Sequence, residues 1–111
     1  LYPPESIAAI RECIERTVTH GNAQRMKIPG ITVLGKTGSA NLIIDGAYDP
    51  SATLFSFACI IEHGSYKRVV ALFLKKAYKS GILSATVTVP CARKIVERML
   101  IHDKITPKEI S

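Results

Sequence analysis

No run of apolar residues in this 111-residue chain approaches the roughly 20 needed to cross a bilayer as a helix. Its first residues, Leu1-Tyr2-Pro3-Pro4-Glu5, form neither a signal peptide nor a start methionine, so the expectation is a piece of a longer polypeptide. Cysteine is sparse: Cys13, Cys59 and Cys91 lie far apart, without the Cys-x-x-Cys spacing of a structural zinc site or a redox motif. The odd count argues against a disulfide framework, and each cysteine sits among apolar residues, so all three are expected to pack as small buried hydrophobes. His20, His63 and His102 show no ligand spacing either, and no metal or cofactor is implied. Fifteen Lys and Arg against nine Asp and Glu leave a charge of +6, but no run of like charge exceeds two residues, as in Lys67-Arg68 and Lys75-Lys76. That pattern reads as a solvated basic surface and excludes a basic nucleic-acid arm.

What is present is a globular composition, 47% hydrophobic and 22% charged with the two types interspersed. The length allows one small domain over residues 1–111, with no room for a linker and a second one.

From Pro4 to His20 the residues Ile7, Ile10, Ile14 and Val18 recur at helical spacing, with Pro4 suited to the first turn and Gly21 to the stop. Gly21 to Lys27 reads as a polar loop and Ile28-Pro29-Gly30 as a turn. Ile31 to Leu34 is β-branched and extended, and the strand can continue through Lys36 to Ala40. Leu42-Ile43-Ile44, with Asp45-Gly46 and Asp49-Pro50, reads as a loop with room for one short strand. Leu54 to Glu62 and Lys67 to Ala77 form a hairpin through His63-Gly64-Ser65-Tyr66. Val89, Ala92, Ile95, Val96, Met99 and Leu100 share a helix face, with a start as early as Ser84 and Pro90 acceptable only in the first turn or at a kink. The polar tail from Asp103 to Ser111 is expected to fray. The order helix, three strands, helix defines an α+β fold, an antiparallel sheet of about three strands packed with an N-terminal and a C-terminal helix.

Two motifs overlap in the first strand. Gly30 to Thr37 satisfies the phosphate-loop pattern Gly-x-x-x-x-Gly-Lys-Thr, in which backbone N–H groups wrap a nucleotide's phosphates. Its context argues against that reading: no buried strand precedes it and no helix follows. Three of its four variable residues are also β-branched, which stiffens a loop that needs mixed φ values. The second motif is Lys36-Thr37-Gly38, the third signature of serine β-lactamases and penicillin-binding proteins after Ser-x-x-Lys and Ser-x-Asn.

More of the chain agrees with the second motif. The helix before Gly21, the Pro29-Gly30 turn, the string Gly35-Lys36-Thr37-Gly38-Ser39-Ala40, the apolar hairpin, a turn at 78–81 and a last helix with Ala85 and Pro90 resemble the closing part of class B penicillin-binding transpeptidases. The resemblance runs from about Pro4 to Leu100. It implies a C-terminal fragment of a peptidoglycan D,D-transpeptidase. Such an enzyme acylates a serine with a stem peptide ending in D-Ala-D-Ala, transfers it to an amine, and is blocked by β-lactams. Lys36 would be the catalytic residue on this strand, beside the serine of the Ser-x-Asn motif. Thr37 and Ser39 would hold the ligand's carboxylate, Gly38 would admit the ligand to the backbone, and the Ser39 N–H would be one oxyanion donor.

The family's usual Thr is here Ser39, and Phe57-Ala58-Cys59-Ile60 stands where class B members carry Gly-aromatic-Ala-Pro. No Ser-x-x-Lys occurs, and Ser39-Ala40-Asn41 overlaps the Lys-Thr-Gly strand, so the fragment alone is expected to be inactive. Strict alternation puts Lys36 and Gly38 on one side and Thr37 and Ser39 on the other, so convergence calls for twist or a bulge at Gly38. The resemblance further implies the outer face of a bacterial inner membrane as location, no nucleic-acid partner, and self-association through the edge of the last strand. The competing readings are a non-catalytic binding module and, more remotely, the nucleotide loop.

Overall fold

The computed structural model describes residues 2–77 and 84–105. Helix α1 (Pro4–Thr19) is followed by a single 3₁₀ turn at Gln24–Met26. Strands β1 (Thr32–Ile44), β2 (Ala47–His63) and β3 (Tyr66–Ala77) come next, then helix α2 (Ser84–His102). The strands form one antiparallel sheet in the order β1-β2-β3. The turn expected at 78–81 lies outside the described residues, as does the tail from residue 106 on.

Local chemistry explains each boundary. Pro4 opens α1, where its missing N–H costs nothing. The helix stops where the N–H groups of His20 and Gly21 both reach the Arg16 carbonyl, at 2.8 and 2.9 Å, and Ala23 N–H bonds Thr17 O at 2.9 Å. A Cβ on Gly21 would lie 2.9 Å from Thr17 Cα, so only glycine passes this close. Ile31 N–H closes on Ile28 O at 3.1 Å, with Gly30 at φ 79°, a proline-glycine type II turn that launches β1.

The segment read as a loop at 42–50 is instead paired. Leu42 to Ile44 complete β1, and Asp45 and Gly46, at φ 53° and 81°, make a two-residue turn directly into β2. Asp-Gly flanked by apolar residues is the strongest short hairpin signal, and here both residues take the positive φ that a two-residue turn requires. Pro90 also departs from expectation: the helix begins at Ser84, so Pro90 lies in its second turn.

The core lies on one sheet face. Val33, Phe57, Cys59 and Ile61 pack with Val18 of α1, Ala23, Met26 and Ile28 of the connector, and Val89, Ala92, Val96 and Leu100 of α2. The other face, with Leu34 and Ile60, meets α1 only in part: Ile7, Ile10, Ile14, Leu34 and Ile60 border an apolar hollow of about 200 Å³. Of the four helix-face residues expected inside, Val18 is buried and Ile14 half-buried, while Ile7 and Ile10 are exposed. The cysteine expectation holds for Cys59 alone, whose burial pushes its thiol up to about 11; Cys13 and Cys91 are exposed on the helices. No helix among the described residues is long and apolar enough to cross a membrane.

Candidate functional site

Lys36, Thr37, Gly38 and Ser39 occupy consecutive positions in the middle of β1, opposite Ala58, Phe57, Ser56 and Phe55 of β2. β1 is an edge strand of the sheet. Its backbone groups alternate between β2 and the open side. The Thr17 hydroxyl of α1 donates to the Gly35 carbonyl. Lys36 Nζ donates to the Thr37 carbonyl at 3.0 Å. Both acceptors therefore face outward, and the same parity sends the N–H and C=O of Ser39 to that open side. Upstream of Lys36 the edge is covered by α1; from Thr37 on it faces outward.

The bulge expected at Gly38 is absent. The β1–β2 register is continuous from Thr32 to Asn41 and shifts only between Asn41 and Leu42. The lysine stem instead bends over the strand edge, bringing the ammonium from the Leu34 side to the Thr37 carbonyl. Thr37 is half-buried, and its Oγ1 accepts a 3.2 Å hydrogen bond from Asn22 Nδ2. Lys36 and Ser39 are exposed. The arrangement brings the Lys36 ammonium to the strand edge beside the backbone groups of Thr37 and Ser39, whose hydroxyl-bearing side chains share the Phe57 face, which suits a peptide that ends in a carboxylate.

Both glycines of the motif have steric reasons. A Cβ on Gly35 would stand 2.7 Å from Phe57 Cζ, so the ring packs across the strand where a side chain would be. A Cβ on Gly38 would stand 2.7 Å from Ser56 Oγ. The phosphate-loop reading is overturned by the same geometry: Lys36 and Thr37 lie mid-strand and β1 continues to Ile44 with no helix after the lysine. Asn22 and Thr17 were missed from sequence, because neither shares a motif with Lys36 and only the folded chain end of α1 brings them to β1.

An α+β layer with a cationic, hydroxyl-bearing edge strand defines a kind of surface rather than a particular protein. No family model matches the chain, and no curated protein sequence matches it. Its fold, however, is that of part of the transpeptidase domains of penicillin-binding proteins. It superposes with TM-score 0.77 on a candidate peptidoglycan glycosyltransferase of Atopobium parvulum (22% identity; 93% of this chain, 24% of that one). The transpeptidase domain of Burkholderia pseudomallei penicillin-binding protein 3 gives 0.73 (24% identity; 97% and 33%). Penicillin-binding protein 3 of Mycobacterium tuberculosis, in complex with aztreonam, gives 0.70 (18% identity; 95% and 26%). The chain thus spans about a quarter to a third of the length of these neighbours.

Proposed function

We propose that this chain supplies the substrate-binding strand of a peptidoglycan D,D-transpeptidase whose serine nucleophile lies on another segment. The observation that carries the reading is the outward edge of β1, where the Lys36 ammonium sits 3.0 Å from the Thr37 carbonyl and backbone parity aims Ser39 the same way. A stem peptide docks along this edge. Its terminal carboxylate is held by the Thr37 and Ser39 hydroxyls, each charge-assisted bond being worth about 1.5–3 kcal/mol. The Ser39 N–H helps stabilise the oxyanion as the serine attacks the carbonyl carbon, and Lys36 assists proton movement at the neighbouring serine. β-Lactams enter the same groove, and the working protein stands on the outer side of the inner membrane.

The test is covalent labelling by a fluorescent penicillin. The full-length polypeptide is expected to be labelled and the 111-residue chain is not; Lys36→Ala in the full-length protein is expected to slow labelling by about 100-fold or more, the usual scale for a lost proton-transfer group. Labelling of the 111-residue chain alone, or an unaffected Lys36→Ala, sinks the reading. A full-length polypeptide that takes up no penicillin yet binds stem peptides would favour the non-catalytic module.

A further inference from the structure

The end of α1 is built to deliver one side chain to the strand edge. The paired N–H groups of His20 and Gly21 on Arg16 O, and Ala23 N–H on Thr17 O, fix the chain on both sides of Asn22. Ala23 is fully buried, which anchors the next residue as well. The neighbouring Thr17 hydroxyl ties the same helix end to Gly35 O on β1. Asn22 is thereby held against Thr37, with Nδ2 3.2 Å from Oγ1, although the two are 15 residues apart.

A threonine hydroxyl has a single proton and two acceptor sites. With the Asn22 amide donating into one of those sites, the proton of Thr37 turns elsewhere, and a carboxylate needs a donor. We infer that Asn22 is a positioning residue that holds the Thr37 hydroxyl as a hydrogen-bond donor toward the terminal carboxylate of the peptide ligand. The inference rests on the reading of Thr37 as a carboxylate receptor. It makes selectivity for a free carboxylate a property of the helix end as well as of the strand.

The experiment measures second-order acylation rates of the full-length protein with a penicillin and with its neutral methyl ester. Thr37→Val is expected to slow the carboxylate form by about 10- to 100-fold, and Asn22→Ala by about 3- to 10-fold, as befits one charge-assisted and one neutral hydrogen bond. The ester should change less than about twofold in Asn22→Ala, since it lacks the charge that the hydroxyl serves. Asn22→Asp, which turns the partner from donor into acceptor, should be slower than Asn22→Ala. The double variant Asn22→Ala/Thr37→Val should be no slower than Thr37→Val, because Asn22 acts only through that hydroxyl. Multiplying effects in the double variant, or equal slowing of both ligands, would overturn the inference and leave Thr37 in place. If Thr37→Val changes nothing, the receptor reading fails and the inference falls with it. Should Asn22→Ala fail to fold, Asn22→Ser, too short to reach Thr37 and without added charge, takes its place on the two ligands, because Asn22→Asp also repels the carboxylate through space.

Discussion

On one face of the sheet, Phe57, Cys59 and Ile61 of β2 are buried beneath α2 and the connector. On the other, Val69 and Phe73 of β3 stand 74% and 66% exposed. The second row is apolar on β3, at Val69, Ala71 and Phe73, and more polar on β2, at Ser56, Ala58 and Glu62, so apolar character alone does not decide what is buried. Coverage does: α2 and the end of α1 close the first face, while the body of α1 reaches Leu34, Ile60 and, through Arg11, Glu62 on the second. A protein rarely leaves a contiguous apolar surface uncovered, and this one lies on the strand farthest from Lys36. The largest test of the contrast is truncation on each side. Phe57→Ala is expected to lower unfolding free energy by about 3–5 kcal/mol in urea titration, and Phe73→Ala by less than about 0.5 kcal/mol. Equal losses would mean that the exposed face is packed in solution.

The strand pattern was legible because β-branched residues and glycine turns act locally: the edges of α1, the Gly30 turn and the β2–β3 hairpin all follow from near neighbours in sequence. Which face would be covered was not legible. Ile7, Ile10 and Val18 share one helical spacing, yet Val18 is buried and the other two are exposed, because α1 crosses the edge of β1 near its end. The continuation of β1 through Leu42–Ile44 was hidden by reading Asp45-Gly46 as a break instead of a two-residue turn. Lys36, Thr37 and Ser39 could be placed on a strand from sequence. The way Lys36 bends over the edge could not, since that depends on the backbone parity that the Thr17 contact marks.

Next in size is a substitution where the covered face meets the candidate site. Gly35→Ala sets a methyl against the buried Phe57 ring, 2.7 Å from Cζ, and against the Ala58 carbonyl at 3.2 Å. Overpacking of this kind costs about 1–3 kcal/mol. The expected result is a lower urea midpoint with an unchanged slope. A midpoint equal to wild type would show that the ring swings aside freely.

The open face is also the place to look for association. The outer edge of β3 carries no partner strand among the described residues. We expect the isolated chain to self-associate through it, and Val69→Lys/Phe73→Lys to restore a monomer in light scattering with under about 1 kcal/mol change in stability. A wild-type monomer at high concentration would break the expectation. Thiol labelling reads the same division by residue: Cys13 and Cys91 should react in the native state and Cys59 only on unfolding, its thiol being buried and pushed up to about 11.

The smallest effect concerns what fastens α1 to its less covered side. Glu62 ends the row Ser56, Ala58, Ile60 on that face, and Arg11 of α1 meets both its carboxylate oxygens, with Lys67 3.8 Å away. The hydrogen bonds from Arg11 hold the Glu62 carboxyl below its ordinary value. Because the folded value is depressed, the unfolded chain takes up the proton first as pH falls. The pair's contribution is therefore present above about pH 4.3, the unfolded value of a glutamate, and is lost as pH falls through the folded one. Arg11 is 45% exposed, so solvent screens the pair and Arg11→Ala should cost only about 0.5 kcal/mol near pH 7. That difference should shrink as pH falls through the folded value of Glu62, and shrink in high salt. A cost that persisted in acid would mean that Arg11 holds the helix by packing its stem over the apolar hollow beside Ile10 and Leu34, and not by charge.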